Sequence, residues 1–260
     1  MAFMNKIIMT LFLLMYSCIV FSQIDNVEKG HVTYGEFIDS LGRVIEKSLM
    51  PSNVLKEEFQ ALQKSHGISN SPKMYRDFVR VRTAFEATRD SGLWAIRWAV
   101  TDKEPNSDLI WAQWNTFSPV NYIEASELPP TAIAECDELS ALFALISRGL
   151  GVKDVGLFWP TSNHTVAVWT AEDSSGKPVR VVVPTSQIFL TDNASLGTKE
   201  FDPYKQKTIY QYQRKDIDMA YKIPLPIAQM MIEQVKRYGA ESSSSLQGLR
   251  NQRSQKFGGS

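Results

Sequence analysis

The chain has 260 residues, with 28 basic side chains balanced by 28 acidic ones, three histidines and two cysteines. A disordered chain combines high net charge with few apolar residues, and a nucleic-acid-binding domain normally carries a basic face. A composition that is 43% hydrophobic with a formal net charge of zero argues against both. The length allows one large domain or a domain with a helical extension.

The first 22 residues have the composition of a secretory signal peptide. Lys6 is their only charge, and the apolar run 7–21 ends just before the small residue Ser22. Because a helix needs roughly 20 apolar residues to cross a bilayer, this run is short for a retained anchor. We therefore predict an exported protein, periplasmic or secreted, with no membrane span once the signal is removed. Lipidation at Cys18 is the less favoured alternative, since the residues before it match a lipoprotein signal poorly.

The segment 23–128 is predicted to be a helical N-terminal region. Apolar residues recur every three to four positions through Thr33–Met50, which is typical of an amphipathic helix. A second helix is predicted to open around Asn53 and to end near Gly67. A third is predicted to run from about Pro72 to Thr88.

Four of the six tryptophans follow these helices: Trp94, Trp98, Trp111 and Trp114. Trp94 and Trp98 are four residues apart, so one helical face could carry both rings. Aromatic rings can bind sugars or peptides, but each also buries roughly 150 to 250 Å², and packing in the core is the commoner use. We expect core packing, with a roof over a cleft or a partner-docking surface as the alternatives.

The segment 129–238 is predicted to form the core and a closing helix. A helix should begin at Glu135 or Cys136 and close near Gly149, because apolar residues follow at helical spacing. Three short β-rich runs come next: Val155–Trp159, His164–Thr170 and Val179–Val183. Turn residues separate the last two runs, which predicts an antiparallel hairpin.

The end of the chain divides into a helix and a tail. Apolar spacing predicts a final helix over Ile223–Tyr238. The tail 239–260 is rich in Ser, Gln and Gly and is predicted to be disordered, because it cannot bury enough apolar surface. Together the elements predict the α+β class, with the helical N-terminal region packed on an antiparallel sheet.

Cys136 is the candidate nucleophile. If Cys18 leaves with the signal, Cys136 is a lone thiol in the exported chain and cannot form an internal disulfide. The first turn of a helix carries unpaired N–H groups and the positive end of the macrodipole, and both favour the thiolate. The carboxylates of Glu135, Asp137 and Glu138 would raise the thiol pKa unless they point outward. The alternative role is that of a small buried hydrophobic residue.

His164 is the candidate base. The other two histidines, His31 and His66, lie near the new N-terminus and at a helix end, where exposure is expected. A lone histidine on a strand is usually structural. The order favours catalysis, because a helix-initial Cys136 is followed about 28 residues later by a histidine that opens a strand, and an adjacent imidazole can activate a thiol.

Four short stretches within about residues 129–190 carry a resemblance to a known family: Ala134–Phe143, Arg148–Val152, Asn163–Trp169 and Val183–Thr185. They resemble the core of transglutaminase-like cysteine enzymes, a papain-like superfamily that includes bacterial periplasmic peptidases. Its members place a nucleophilic Cys at a helix N-terminus and a His on the next core strand. An Asp, often within Asp-Pro-Thr, lies on the strand after that.

The resemblance implies that Cys136 is the nucleophile and His164 the base, but it leaves the third position unfilled. Val183 stands where the family has Asp, and a valine cannot accept the second ring proton of the histidine. In the analogous Ser-His-Asp arrangement, replacing Asp by Asn costs about 10⁴ in kcat. Thr185 and Gln187 have the same strand parity as Val183, so either could orient the ring instead.

Two functions follow from the resemblance and the residues. In the first, an exported thiol enzyme acts on peptide or glutamine amide bonds through Cys136 and His164. In the second, a catalytically degenerate transglutaminase-like domain binds a peptide, cell-wall component or protein without turnover, which Val183 favours. The sequence has no cluster of metal ligands and no glycine-rich phosphate loop, so we expect neither a metal nor a cofactor. The expected partner is a peptide or protein, not nucleic acid.

Overall fold

A computed structural model gives the fold over residues 30–99, 132–186, 196–210 and 222–240. The helices are α1 Tyr34–Val44, α2 Asn53–His66, α3 Pro72–Thr88, α4 Cys136–Gly149 and α5 Leu225–Ala240. The strands are β1 His31–Thr33, β2 Arg97–Trp98, β3 Ile133–Ala134, β4 Val155–Thr161, β5 His164–Glu172, β6 Pro178–Val183 and β7 Lys222–Pro224. This confirms the α+β class. Among the described helices, none is both long and apolar enough to cross a membrane.

The first three helices begin at polar caps. The Thr33 side chain accepts the N–H of Glu36 ahead of α1, and the Glu36 carboxylate accepts the N–H of Thr33 in return. Ser52 and Ser71 accept N–H groups in the first turns of α2 and α3. The predicted starts are therefore confirmed. One local feature was not predicted: α1 continues into a π-helical turn, Ile45–Leu49.

The predicted hairpin is confirmed within a three-stranded sheet of order β4-β5-β6, antiparallel throughout. The register of β5 and β6 runs from Ala167 opposite Val183 to Glu172 opposite Pro178. The Asp173 carboxylate closes the turn by accepting the backbone N–H groups of Ser175 and Lys177.

The two faces of this sheet belong to different apolar clusters. Ala167 and Trp169 of β5 lie in the main core, which also contains Leu139, Leu142 and Phe143 of α4. The alternate residues Val166 and Val168 lie in a smaller cluster with Phe158 and Val182, covered by Phe201 and Ile209. Because side chains alternate along a strand, position on β5 decides whether a side chain faces α4 or Phe201.

The prediction that Trp94 and Trp98 share one helical face is wrong. After α3 the chain makes a tight turn in which Ser91 and Ala95 both have φ near +50°, a region costly for residues with a side chain. Trp98 lies on β2, which pairs in parallel with β3. Trp94 is fully buried and donates its indole N–H to the carbonyl of Met231, so its predicted core role is confirmed. Trp111 and Trp114 lie outside the described residues.

The two ends of the described chain meet. Strand β1 pairs antiparallel with β7, and helix α5 follows β7. Helix α5 starts at Leu225, slightly later than the predicted Ile223, because Lys222–Pro224 form β7. Pro226 lies in its first turn, where its missing N–H costs no hydrogen bond. The helix includes Gly239 and Ala240, which the sequence assigned to the tail; the rest of the tail lies outside the described residues, as does the predicted signal peptide.

A buried ion network closes the end of α3. Arg82 donates to Glu58 at 2.7 Å and to Glu86 at 2.6 Å, and Glu86 also accepts from Arg89 at 3.1 Å. The side chains of Arg82 and Glu86 are each only 4% exposed. One carboxylate therefore joins two guanidinium groups directly before the turn that follows α3.

Replacing Glu86 should be strongly destabilising. Glu86→Gln leaves the charges of Arg82 and Arg89 without their shared carboxylate, and breaking a buried ion pair costs about 3–5 kcal/mol. The matched control is Glu46→Gln. Glu46 pairs with Arg80, but its side chain is 47% exposed, and an exposed ion pair contributes less than about 1 kcal/mol to stability. Urea unfolding of both variants measures the difference. Equal losses of unfolding free energy would contradict a structural role for the network.

Candidate active site

Cys136 is the first residue of α4, as predicted, and its thiol is free and half-buried. Glu135 precedes the helix in extended conformation, and its N–H donates to the Glu138 carboxylate at 2.7 Å. Glu138 is therefore turned back onto the helix start and buried there. This local structure fixes the direction in which α4 leaves β3 and places the thiol beside the start of β5.

The thiol of Cys136 is held by backbone amides. The N–H groups of Thr165 and Asp137 both donate to Sγ, and each lowers the thiol pKa. Thr165 is the second residue of β5, next to His164. The structure therefore brings the candidate nucleophile against the strand that carries the candidate base.

The pKa of the Cys136 thiol is nevertheless raised above its ordinary value. Burial is the largest cause, and the carboxylate of Asp137 adds to it, against the opposing effect of the Thr165 amide. The position at a helix start predicted a favoured thiolate. That expectation is wrong for this site, because desolvation of a half-buried sulfur outweighs the amides that stabilise its charge.

His164 opens β5, as predicted, with only 2% of its surface exposed. Its ring lies 5.6 Å from the ring of Phe201, measured between centroids, and it shares strand parity with Val166. Both observations place the ring towards the small cluster on the face opposite α4. Burial lowers the pKa of the imidazole, so it is neutral near pH 7.

The structure thus brings Cys136 to the backbone of β5, beside the residue that carries the candidate base. The thiol accepts the N–H groups of Thr165 and Asp137, and the ring of His164 packs beside the ring of Phe201. Both pKa shifts favour the neutral thiol and the neutral imidazole over an ion pair. Catalysis would therefore begin with proton transfer rather than from a preformed thiolate.

Strand β6 carries no carboxylate at the position where the resemblance would place an Asp. Val183 is fully buried in the main core, opposite Ala167. Thr185 is also buried, and its hydroxyl lies 2.7 Å from that of Ser140 on α4. The hydroxyl of Thr185 therefore contacts the helix that carries the candidate nucleophile. Gln187, the other candidate for orienting the ring, lies outside the described residues.

Two polar residues that hydrogen-bond with Thr185 were missed from the sequence. Ser140 is four residues after Cys136, a spacing that puts both on one helical face and could have identified it. Asp90 is half-buried in the turn after α3, where its carboxylate accepts the N–H of Trp98 at 2.6 Å and its own N–H donates to the carbonyl of Thr185 at 2.7 Å. Burial raises the pKa of Asp90. Nothing in its sequence neighbourhood indicates that contact.

Metal chemistry has no support in the described part of the chain. Within residues 30–99, 132–186, 196–210 and 222–240, no three His, Cys, Asp or Glu side chains are grouped so that they could hold a metal ion. The candidate chemistry there is that of a thiol, an imidazole and backbone amides.

The titration of Cys136 should reflect its burial and its acidic neighbour. We expect the rate of iodoacetamide labelling to rise with pH around a midpoint above that of a model thiol, since the thiol pKa is raised. Asp137→Asn should lower the midpoint, because it removes the charge while an amide oxygen can still accept the N–H of Glu138. Asp39→Asn on the exposed side of α1 is the control. Labelling is assigned to Cys136 by peptide mass spectrometry, and a wild-type midpoint below that of the model thiol would contradict the account.

Comparison with known proteins returns no relative for this chain. No family model matches it, and no curated protein and no solved structure matches it. The function is therefore argued from the residues and geometry of the site.

Proposed function

We propose that the protein is an exported thiol enzyme with a transglutaminase-like core, in which Cys136 attacks the carbonyl of a peptide or glutamine amide. One observation carries the proposal: the Cys136 thiol, at the first residue of α4, accepts the N–H of Thr165, the residue directly after His164. A nucleophile at a helix start, packed against the strand that begins with a histidine, puts the two candidate groups on adjoining elements, and activation of the thiol then requires the imidazole to come within hydrogen-bond reach of Sγ.

The proposed mechanism uses neutral groups. The imidazole of His164, kept neutral by burial, accepts the proton of the Cys136 thiol while Sγ bonds to the amide carbon. The C–N bond then breaks, the protonated His164 donates its proton to the leaving amine, and a thioester remains. Water or a second amine attacks the thioester, and the thiol is regenerated. For the first step the ring must turn from Phe201 to within about 3 Å of Sγ.

A second candidate is a binding domain without turnover. The buried Val183 at the acid position and the contact of His164 with Phe201 both favour it. An exposed aromatic pair adds a surface for a ligand: Trp159 is 46% and Tyr210 52% exposed, with ring centroids 5.8 Å apart at the outer edge of β4. The occupant of that surface would be a peptide, a cell-wall component or a protein.

Turnover of amide substrates separates the two candidates. For the enzyme, ammonia release from glutamine-containing peptides, or peptide cleavage seen by mass spectrometry, should be lost in Cys136→Ser. His164→Ala should lower kcat by about 100-fold or more, the usual contribution of a general base. His31→Ala, at an exposed histidine on β1, should leave kcat unchanged.

Two outcomes would overturn the enzyme. Turnover unaffected by His164→Ala would remove the proposed base. A folded wild-type chain that binds peptides but releases no product, with binding lost in Trp159→Ala, would establish the binding domain instead.

A further inference from the structure

We infer that Ser140 and Thr185 are positioning residues, whose paired hydroxyl groups hold the start of β5 so that the Thr165 amide stays on the Cys136 thiol. The inference rests on the proposed role of Cys136 as nucleophile. The hydroxyl of Thr185, two residues after β6, would then act on the nucleophile, whereas the Asp of the family that the sequence resembles acts on the base.

Ser140 lies at the junction of three segments. Its buried hydroxyl is 2.7 Å from the carbonyl of Cys136, 3.3 Å from the carbonyl of Thr165 and 2.7 Å from the hydroxyl of Thr185. A hydroxyl has one hydrogen to donate, and both carbonyls can only accept. The hydrogen between the two hydroxyls must therefore come from Thr185, which leaves that of Ser140 for the carbonyls.

Thr185 is itself fixed from three sides. Its N–H donates to the carbonyl of Val183 at 3.0 Å, its carbonyl accepts the N–H of Asp90 at 2.7 Å, and its hydroxyl meets Ser140. The turn that presents Asp90 contains the two positive-φ residues Ser91 and Ala95. Such backbone conformations persist only where the surrounding structure imposes them. The hydroxyl of Thr185 thus has a defined position.

The helix start takes the place of a strand partner at Thr165. In antiparallel sheets, the N–H and C=O of one residue point to the same neighbouring strand. The register of β5 with β6 begins at Ala167 and Val183, so it does not include Thr165. At Thr165 the N–H goes to Cys136 Sγ and the C=O lies within reach of Ser140 Oγ. Ser140 therefore controls the same backbone edge that supplies the hydrogen bond to the thiol.

Loss of either hydroxyl should weaken the amide–thiolate bond. A hydrogen bond to a charged group stabilises that charge, so Ser140→Ala should raise the midpoint of Cys136 alkylation by about one pH unit. At a fixed pH below the midpoint, the thiolate fraction then falls about tenfold. Because a more basic thiolate is also more nucleophilic, we expect the labelling rate at pH 8 to fall about threefold.

The experiment compares alkylation rates of Cys136 across pH in the full chain. Thr185→Val should raise the midpoint as Ser140→Ala does, and Thr185→Ser, which keeps a hydroxyl, should restore it. The matched control is Ser147→Ala on the same helix. Ser147 is fully buried, and its hydroxyl has no hydrogen-bond partner among the described residues, so its removal should leave the midpoint unchanged.

Midpoints of Ser140→Ala and Thr185→Val equal to those of the wild type and Ser147→Ala would overturn the inference. So would an equal shift in all three variants, which would mark a general loss of packing. If Ser140→Ala fails to fold, the comparison of Thr185→Val with Thr185→Ser decides. The experiment measures alkylation of the Cys136 thiol and does not depend on turnover. Failure of the proposed enzyme would instead appear as absent turnover with an unchanged alkylation profile.

Discussion

The backbone edge of Thr165 is the point on which the candidate site depends. The pairing of β6 with β5 ends at Ala167, two residues after Thr165. At Thr165 the backbone groups of β5 instead contact the start of α4, through Cys136 and Ser140. A backbone N–H buried without a partner is costly, so this contact fixes α4 against the sheet as well as placing the thiol. One local interaction therefore serves both the packing of helix on sheet and the geometry of Cys136.

Desolvation sets the chemistry available at this edge. It raises the pKa of the Cys136 thiol and lowers that of the His164 ring, so the same physical cause moves both groups towards their neutral forms. A neutral imidazole is the form that can accept a proton, and a protonated thiol is the form that needs a base. In the proposed mechanism the thiol is activated only when substrate binds, and this activation requires the His164 ring to move away from Phe201.

Local patterns in the sequence predicted the elements, and long-range contacts account for the rest. The capped starts of the first three helices, Cys136 at the start of α4 and the β5–β6 hairpin follow from spacing and turn residues. The turn after α3 could not be predicted, because the conformations of Ser91 and Ala95 are imposed by tertiary structure. The bond between Thr185 and Ser140 joins residues 45 positions apart, and no local pattern encodes it. The titration of Cys136 likewise depends on burial, which helix position alone does not reveal.

Amide hydrogen exchange at Thr165 tests the central contact most directly. We expect slow exchange in the wild type, and clearly faster exchange at Thr165 in Cys136→Ala, because the sulfur that accepts its N–H is gone. The amide of Val168, within the β5 register with β4 and β6, should exchange equally slowly in both proteins. Rapid exchange at Thr165 in the wild type, or an unchanged rate in Cys136→Ala, would contradict the account.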